Sequence, residues 1–274
     1  MPVYRIAEKL KGIIGLMIGL VIIFPLYYAL SFSFMPYSDI VAYPPKLFPR
    51  AFTAVNYIQV FNTIPIMKFI INSLIVCASV IAMQIITASL AAYGFVFFNF
   101  PAKKALFITV LATMMIPGEA IIISNFLTIS SFGLLDHYLG LILPYGTSAM
   151  AIFLIRQYYM TMPAELKEAS LIDGCGNLQF FFNILFPLST PVISALVVYI
   201  FIGTWNQYMW PLLITNSANM RTVQIGIAML QFSDGISYGL VCAGCVLIIL
   251  PTALIFLFGH QKLVTGITAG SIKG

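Results

Sequence analysis

Six long apolar stretches constrain the fold of this chain more than any other feature of its 274 residues. A helix that crosses a bilayer needs about 20 predominantly apolar residues. Backbone groups left unpaired in hydrocarbon are so costly that only helices and closed barrels span membranes. The stretches cover approximately residues 12–34, 69–98, 105–125, 138–155, 188–213 and 238–258. The pattern predicts an all-α polytopic membrane protein with six transmembrane helices.

The composition excludes a water-soluble protein. Hydrophobic residues make up 61% of the chain and charged residues only 8%, whereas soluble domains average about 25% charged residues. The mean hydropathy is +1.02. The net charge of +5 does not indicate nucleic-acid binding, because the basic residues stand singly or in pairs at the edges of apolar stretches, as they do at membrane–water boundaries.

Loop charges predict the orientation. Arg5, Lys9 and Lys11 precede the first stretch as in a signal peptide, but the stretch is too long and lacks a clear cleavage site, so we expect a retained helix. A cytoplasmic N-terminus places nine Lys and Arg residues inside and four outside, with both termini in the cytoplasm of a bacterial cell. We expect one permease domain over 1–274, with a core at about 69–262 and an extra N-terminal helix at 12–34.

The loop over residues 157–187 is long for a compact protein, and loops of this length are usually functional. Pro163 suits a first helical position, Glu165 suits the first turn, and Gly174 suits the residue after the helix. Leu166, Ala169 and Ile172 fall near one face, and a second short helix is expected from 177 to 187. The first helix is too short to span, which leaves open both an interfacial helix and a docking element.

The same loop carries a motif. Glu168-Ala169-Ser170 is followed by Gly174, nine residues, and the segment 184–187 of sequence Ile-Leu-Phe-Pro. This resembles the cytoplasmic loop of ATP-binding-cassette importer permeases, whose pattern is Glu-Ala-Ala, three residues, Gly, nine residues, Ile-x-Leu-Pro. Ser170 and Phe186 depart from it but stay small or apolar. Segments 43–49, 56–57, 72–73, 91–93 and 100–101 look like the carbohydrate branch of that family, and segments 205–211 and 266–274 are similar to its maltose-type second permease.

The resemblance implies partners and a coupling role. We expect no cofactor, and no metal because His137 and His260 are far apart and no clustered metal-ligand spacing is present. The partners would be a second homologous permease subunit, two cytoplasmic ATPase subunits and an extracytoplasmic solute-binding protein. The 163–187 segment would couple to an ATPase, and the C-terminal tail would reach the same interface. The implied coupling residues are Glu165, Leu166, Glu168, Ala169, Ser170, Asp173, Gly174 and Pro187, and the tail residues are Thr268, Gly270 and Lys273.

Four residues are candidates for the solute pathway. Glu119 lies fourteen residues beyond Ala105, about 21 Å along a straight helix. That position is within the membrane, where a carboxylate has a high free energy. It is equally consistent with a water-exposed position if Pro117-Gly118 breaks the span. Asn206, Gln207 and Trp210 offer amides and an indole ring for sugars. An aromatic belt at the outer interface explains these three as well.

Other functions are weighed against this one. An ion-gradient-driven transporter remains an alternative, although Glu119 has no obvious charged partner in the sequence. The chain has no Gly-x-x-x-x-Gly-Lys-Ser/Thr, so we expect no ATP hydrolysis by this subunit. Cys242 and Cys245 have the spacing of a redox pair, but they lie in an apolar helix where close packing is the simpler explanation. The sequence does not decide between an oligosaccharide and a glycerol-3-phosphate-like solute.

Overall fold

The computed structural model describes residues 2–232 and 237–268, with side chains for residues 10–231 and 237–257. All regular elements within these ranges are helical, which confirms the all-α fold class. The helices are α1 (Pro2–Ser33), α2 (Tyr37–Ile40), α3 (Val55–Thr63), α4 (Ile66–Phe97), α5 (Lys103–Thr113), α6 (Gly118–Ser131), α7 (Tyr138–Ile142), α8 (Ala149–Tyr159), α9 (Glu165–Ile172), α10 (Asn177–Phe180), α11 (Phe186–Leu188), α12 (Thr190–Trp205), α13 (Met209–Ile214), α14 (Val223–Phe232) and α15 (Tyr238–Thr268).

Three described helical segments are long and apolar enough to cross a membrane alone. They are Leu10–Ser33, Ile66–Phe97 and Tyr238–Leu257. The predicted third and fourth spans are each a bent pair: α5 with α6 at 97°, and Tyr138–Tyr145 with α8 at 50°. The predicted fifth stretch covers α12 and α13, and α12 forms a third bent pair, at 72°, with the preceding segment Asn177–Leu188. Six spans result if each pair crosses once. The interruption expected at Pro117-Gly118 is present, and the prediction of six apolar stretches is compatible with these bends.

A proline marks the break of one of these pairs, and a second proline lies just before the break of another. Pro117 adopts an extended backbone immediately before α6, and a proline disfavours the helical conformation of the residue before it. Pro144 lies in a 3₁₀ turn between α7 and α8. Because α6 turns away from α5, Glu119 does not lie on the continuation of the α5 axis. The estimate of about 21 Å, which assumed a straight helix, is therefore wrong.

The chain divides into two compact units, of which the larger comprises residues 68–225 and 252–274. Its apolar core joins α4, α8 and α12 through residues such as Val80, Ile155 and Leu196, which are almost fully buried. Gly140 in α7 is buried beside the backbone, since a Cβ there would lie 2.3 Å from the carbonyl oxygen of Leu134. Close backbone packing therefore fixes α7 in this unit.

A polar network in the larger unit organises the segment 216–223. The side-chain amide of Asn72 donates to the carbonyl oxygens of Asn219 and Arg221 at 2.8 and 2.9 Å, and it accepts from the Tyr138 hydroxyl at 2.7 Å. The Ser73 hydroxyl accepts from the Val223 amide at 2.9 Å. Buried polar groups are stable only when paired in this way. Asn72 and Ser73, recognised in the sequence as part of a family pattern, thus have a structural role.

The smaller unit comprises residues 1–67 and 226–251. In its loop after α1, the buried Asp39 pairs with the Lys46 ammonium and accepts a hydrogen bond from the Arg50 amide at 2.9 Å. The Lys46 hydrogen bond, followed by the Arg50 amide, holds the pKa of the Asp39 carboxyl below its usual range. Asn56 donates to the carbonyl oxygens of Ser33 and Met35 at 3.0 and 2.9 Å. This loop is therefore folded by its own polar contacts.

Candidate coupling site in the 157–187 loop

The helix expected in the 157–187 loop is present as α9, and Glu165 lies in its first turn as predicted. Pro163 does not occupy the first helical position, because regular helix begins at Glu165. Its carbonyl oxygen instead accepts from the Leu166 amide at 3.3 Å. Glu165 and Glu168 are both in the first turn, where the helix dipole favours carboxylates.

Gly174 ends α9 in the left-handed conformation that the sequence predicts, with φ at +76°. The Gly174 amide donates to the Leu171 carbonyl at 3.1 Å, and the Cys175 amide donates to the Ser170 carbonyl at 2.8 Å. These two bonds form a Schellman motif, which glycine favours because a side chain is strained at positive φ. The turn directs the chain into α10.

The buried face of α9 differs from the predicted one. Ser170 is buried and Leu166 half-buried, one helical turn apart on the side that faces the protein. Ala169 and Ile172, expected on the same face as Leu166, are exposed. The side chains of Leu171 and Ile172 are 58% and 87% exposed. The small Ser170 fits where the family pattern has alanine, and the apolar end of α9 is left uncovered.

Lys167 anchors α9 to the end of α4. Its ammonium donates to the Phe97 carbonyl oxygen at 3.2 Å and lies 5.3 Å from the ring centroids of both Phe97 and Phe98. Lys103 donates to the Phe98 carbonyl oxygen at 2.7 Å. Cations at the carboxyl end of a helix are favoured by the helix dipole. Two lysines therefore cap α4, and one of them belongs to the coupling segment.

An aromatic cluster attaches the second short helix to α4. Tyr93 is buried, and its ring centroid lies 5.3 Å from those of Phe97 and Phe181. Its hydroxyl donates to the Asn177 carbonyl oxygen at 3.0 Å, at the start of α10. Aromatic pairs of this kind add about 0.5–1.5 kcal/mol beyond the area they bury. The sequence indicated Tyr93 only as part of a family pattern, and the signal that was missed is the clustering of aromatic residues in the segments 93–98 and 180–182.

The second helix of the loop is less regular than expected. After α10 the residues Phe181–Leu185 form a π-helical turn, followed by α11. Pro187 is exposed, and its carbonyl oxygen accepts from the Thr190 hydroxyl at 2.6 Å. The Tyr158 hydroxyl donates to the Leu188 carbonyl oxygen at 3.0 Å and so ties the end of α8 to α11. π-turns occur often at functional sites.

The remaining coupling residues lie on the outside of this anchored segment. Glu165, Glu168 and Asp173 are exposed on α9. Leu178 on α10 is 67% exposed. The loop thus presents carboxylates and aliphatic side chains on one pair of short helices, while Lys167 and Tyr93 hold that pair to α4.

The structure separates the four pathway candidates. Glu119 is exposed in the first turn of α6, and Asn206 and Gln207 occupy the break between α12 and α13. Asn206 accepts from the Gln224 side chain at 3.3 Å. Trp210 is only 2% exposed, and its indole N–H donates to the Gly140 carbonyl oxygen at 3.2 Å. Trp210 is therefore a packing residue in this conformation, in contrast to its expected position on the pathway.

The structure describes only the backbone of one of the three tail residues. Thr268 is the last residue of α15, with no side chain described. Gly270 and Lys273 lie outside the described residues. Among the described residues no group of three or more His, Cys, Asp or Glu is placed to hold a metal ion.

Comparison with known proteins gives the chain a family. The profile of the binding-protein-dependent transport system inner membrane component matches residues 84–262, which include the whole 157–187 loop. The chain belongs to this family. It is a transport permease of the ATP-binding-cassette type, and this membership decides against the ion-gradient-driven alternative.

Relatives match this permease over nearly its full length. The sn-glycerol-3-phosphate transport system permease protein UgpE of Agrobacterium fabrum is 34% identical, over 97% of this chain and 96% of its own. The arabinooligosaccharides transport system permease protein AraQ of Bacillus subtilis is 32% identical, over 99% and 97%. A chain of a bacterial ABC transporter that imports the acidic polysaccharide alginate has a TM-score of 0.86 at 19% identity, over 94% of this permease and 96% of that chain. The last likeness shows that the fold is shared.

Proposed function

We propose that this permease imports a carbohydrate or sugar-like solute and that its 157–187 loop couples the pathway to a cytoplasmic ATPase. One observation carries the coupling proposal. Helix α9 is fixed to α4 through Lys167, while Ile172 at its other side is 87% exposed. An apolar side chain left this exposed on an anchored helix suits a protein contact better than a solvated loop.

The anchoring also supplies a route for motion. A displacement of α9 would move the carboxyl end of α4 through Lys167, and a displacement of α10 would move it through Tyr93. Helices are rigid over their length, so a shift at one end of α4 reaches the far side of the membrane. The breaks at Pro117 and at Asn206 are places where the pathway helices can change angle.

The solute class rests on the relatives. One is named for sn-glycerol-3-phosphate and another for arabinooligosaccharides, and both solutes are rich in hydroxyl groups. Exposed Asn206 and half-buried Gln207 at a helix break supply amide donors and acceptors of the kind that hydroxyls need. Glu119 is the third pathway residue in this proposal, because it is an exposed carboxylate at a helix break.

The partners are part of the proposal. A second homologous permease would complete the pathway, two ATPase subunits would hydrolyse ATP, and an extracytoplasmic solute-binding protein would deliver the solute. Both termini would lie in the cytoplasm, where Thr268, Gly270 and Lys273 of the tail would reach the ATPase interface. Reporter fusions after Lys104 and Lys262 should then report the cytoplasm, and a fusion after Lys46 the outside. An external signal at Lys104 would overturn the orientation.

Two variants test the coupling role. Glu168→Lys reverses an exposed charge on α9, and Gly174→Pro redirects the turn into α10. Both leave the apolar spans intact, so the protein should insert. We expect loss of ATPase from the purified complex, or loss of solute-stimulated ATP turnover where the complex survives. Normal retention and turnover in both variants would leave α9 as an interfacial helix without a coupling role.

Uptake into proteoliposomes tests the solute class. The complete importer should accumulate a labelled arabino-oligosaccharide or glycerol-3-phosphate only when ATP is supplied inside. Uptake of neither solute, with binding by the partner protein of a non-carbohydrate instead, would contradict the proposal. The purified permease alone should hydrolyse no ATP, since its sequence contains no phosphate-cradling Gly-x-x-x-x-Gly-Lys-Ser/Thr.

A further inference from the structure

A cationic cleft adjoins the coupling segment: it is lined in part by Arg156, which immediately precedes the 157–187 loop, and by Lys103, which also caps α4. Five residues line it: Phe95, Lys103, Lys104, Phe107 and Arg156. Its volume is about 210 Å³, several times the roughly 30 Å³ that one water molecule occupies in the liquid. The lining contains three cations, two aromatic rings and no carboxylate.

Arg156 lines this cleft, and one of its buried hydrogen-bond donors has no partner among the residues that the structure describes. Its guanidinium carbon lies 4.1 Å from the centroid of the Phe107 ring. Its Nε is buried and makes no hydrogen bond to any residue that the structure describes. An unpaired buried donor on a charged group is unfavourable. The cation–π contact attracts the guanidinium to the Phe107 ring but supplies no hydrogen-bond acceptor for this N–H.

The other two cations stand at the start of α5. Lys103 and Lys104 are its first two residues, and the amino end of a helix attracts anions through its unpaired backbone N–H groups. The salt bridge within the described part of the chain joins Lys46 to Asp39, so no described carboxylate pairs with Lys103, Lys104 or Arg156. The positive charge of the cleft is therefore not neutralised from within residues 10–231 and 237–257.

We propose that this cleft binds the phosphate group of an anionic phospholipid. It lies where α4 ends at Phe97 and α8 ends at Tyr159, which is the depth of lipid headgroups if these helices span. Basic pockets between spans on the cytoplasmic side suit anionic headgroups. On α5, Leu106 and Ile108 flank the cleft residue Phe107 and are 50% and 55% exposed, so apolar surface is available to acyl chains on both sides of the cleft. A free phosphate shares the headgroup chemistry but would leave these side chains uncovered.

This inference extends the proposed function without depending on it. The lipid phosphate would bridge the start of α5 and the end of α8, next to the 157–187 loop. Lipid composition would then influence the importer at a site separate from both the solute and the ATPase contacts.

Binding of fluorescent lipids to the full-length chain in detergent tests the proposal. The probes are phosphatidylglycerol and phosphatidylcholine carrying the same fluorophore. The wild type should bind phosphatidylglycerol more tightly than phosphatidylcholine. Lys104→Gln should weaken phosphatidylglycerol binding about fivefold, from the contribution of one cation near an anionic headgroup. Arg156→Gln should weaken it about tenfold or more, since it also removes charged hydrogen bonds, and Arg156→Lys should weaken it less.

Lys11→Gln is the matched control, because Lys11 is an exposed lysine outside the cleft that the sequence places on the same side of the membrane. It should bind phosphatidylglycerol as the wild type does. Equal affinity for the two lipids would overturn the proposal, as would unchanged binding by Lys104→Gln and Arg156→Gln. Complete displacement of phosphatidylglycerol by inorganic phosphate, at an ionic strength matched with sodium chloride in the control, would show that the cleft takes free phosphate and contradict the lipid assignment.

Discussion

The ammonium of Lys167 donates a hydrogen bond to the carbonyl oxygen of Phe97 at 3.2 Å, across 70 residues of sequence. Lys167 belongs to the short helix α9, and Phe97 is the last residue of the long helix α4. The contact therefore joins the proposed ATPase-docking helix to a membrane span. The rings of Phe97 and Phe98, each 5.3 Å from the ammonium, add cation–π attraction.

Replacing Lys167 should uncouple the loop without removing the ATPase. Lys167→Met keeps a flexible apolar stem but loses the hydrogen bond and the charge, whose contributions we place at about 1–3 kcal/mol together. Solute-stimulated ATP turnover should fall by about threefold to tenfold while the ATPase still co-purifies. Lys167→Arg, which retains a donor and a cation, should stay near wild type. Equal turnover in both variants and the wild type would show that this anchor does not transmit motion.

The backbone of Gly174 provides a second prediction. A side chain at φ +76° is strained by about 1–2 kcal/mol, although the space around the residue is open. Asparagine tolerates this conformation better than β-branched residues do. Solute-stimulated ATP turnover should therefore be highest in the wild type, lower in Gly174→Asn and lowest in Gly174→Val. Proteolysis near residue 174 should increase in the same order. A Gly174→Val variant that matches Gly174→Asn in both measurements would contradict this explanation.

Substitutions at two glycines of the larger unit can be compared to test how packing at α7 contributes to stability. A Cβ at Gly140 would meet the backbone oxygen of Leu134 at 2.3 Å, whereas one at Gly146 would meet the end of the flexible Met83 side chain at 2.5 Å. Backbone cannot yield as a methionine terminus can, so Gly140→Ala should destabilise by about 1–3 kcal/mol and Gly146→Ala by less. Thermal unfolding of the two variants in one detergent compares them. A larger loss for Gly146→Ala would be inconsistent with the packing at α7.

The loop after α1 should respond to pH through Asp39. Its carboxyl has a lowered pKa in the folded protein, first because of the Lys46 hydrogen bond and second because of the Arg50 amide. Because the carboxyl pKa is lower in the folded protein, the ionised carboxylate stabilises the loop at pH values above the unfolded pKa, near 3.8. This stabilisation is lost as the pH falls through the folded pKa. Limited proteolysis of residues 41–54 should thus be slow at neutral pH and faster below about pH 4. Asp39→Asn should be cleaved faster at neutral pH and show little change on acidification. Identical pH profiles for the variant and the wild type would rule out this role of Asp39.

The regular parts of the fold were predictable from the sequence because they follow from apolar length and from local turn chemistry. The six apolar stretches correspond to three long helices and three bent pairs, and Gly174 ends α9 as expected. The bends were not predictable as angles, because hydropathy averages over a window and does not register a change of direction. Pro117 marked a break, but its 97° turn depends on tertiary packing.

The side chains that anchor the loop were harder to anticipate. Lys167 looked like one charge among several on an amphipathic helix, and its role depends on the position of Phe97, 70 residues earlier in the chain. The sequence left Trp210 open to a sugar contact or an aromatic belt at the interface, and neither pattern indicated that it is buried against α7 at Gly140. Contacts between residues far apart in sequence leave no periodic signal, so single-sequence reasoning identified the segment and not its partners.

Ile172 allows the most direct test of the proposed docking of α9. It is 87% exposed, so Ile172→Asp should not disturb the fold of the permease itself. Val41→Asp is the control. Val41 is 57% exposed and lies between the first and second apolar stretches, in the segment predicted to be outside the cell. The measurement is the molar ratio of co-purified ATPase to permease for each variant. We expect the ratio to fall about tenfold or more for Ile172→Asp, as for a buried apolar contact at an interface, and to stay at the wild-type value for Val41→Asp. A wild-type ratio for Ile172→Asp would contradict docking through α9.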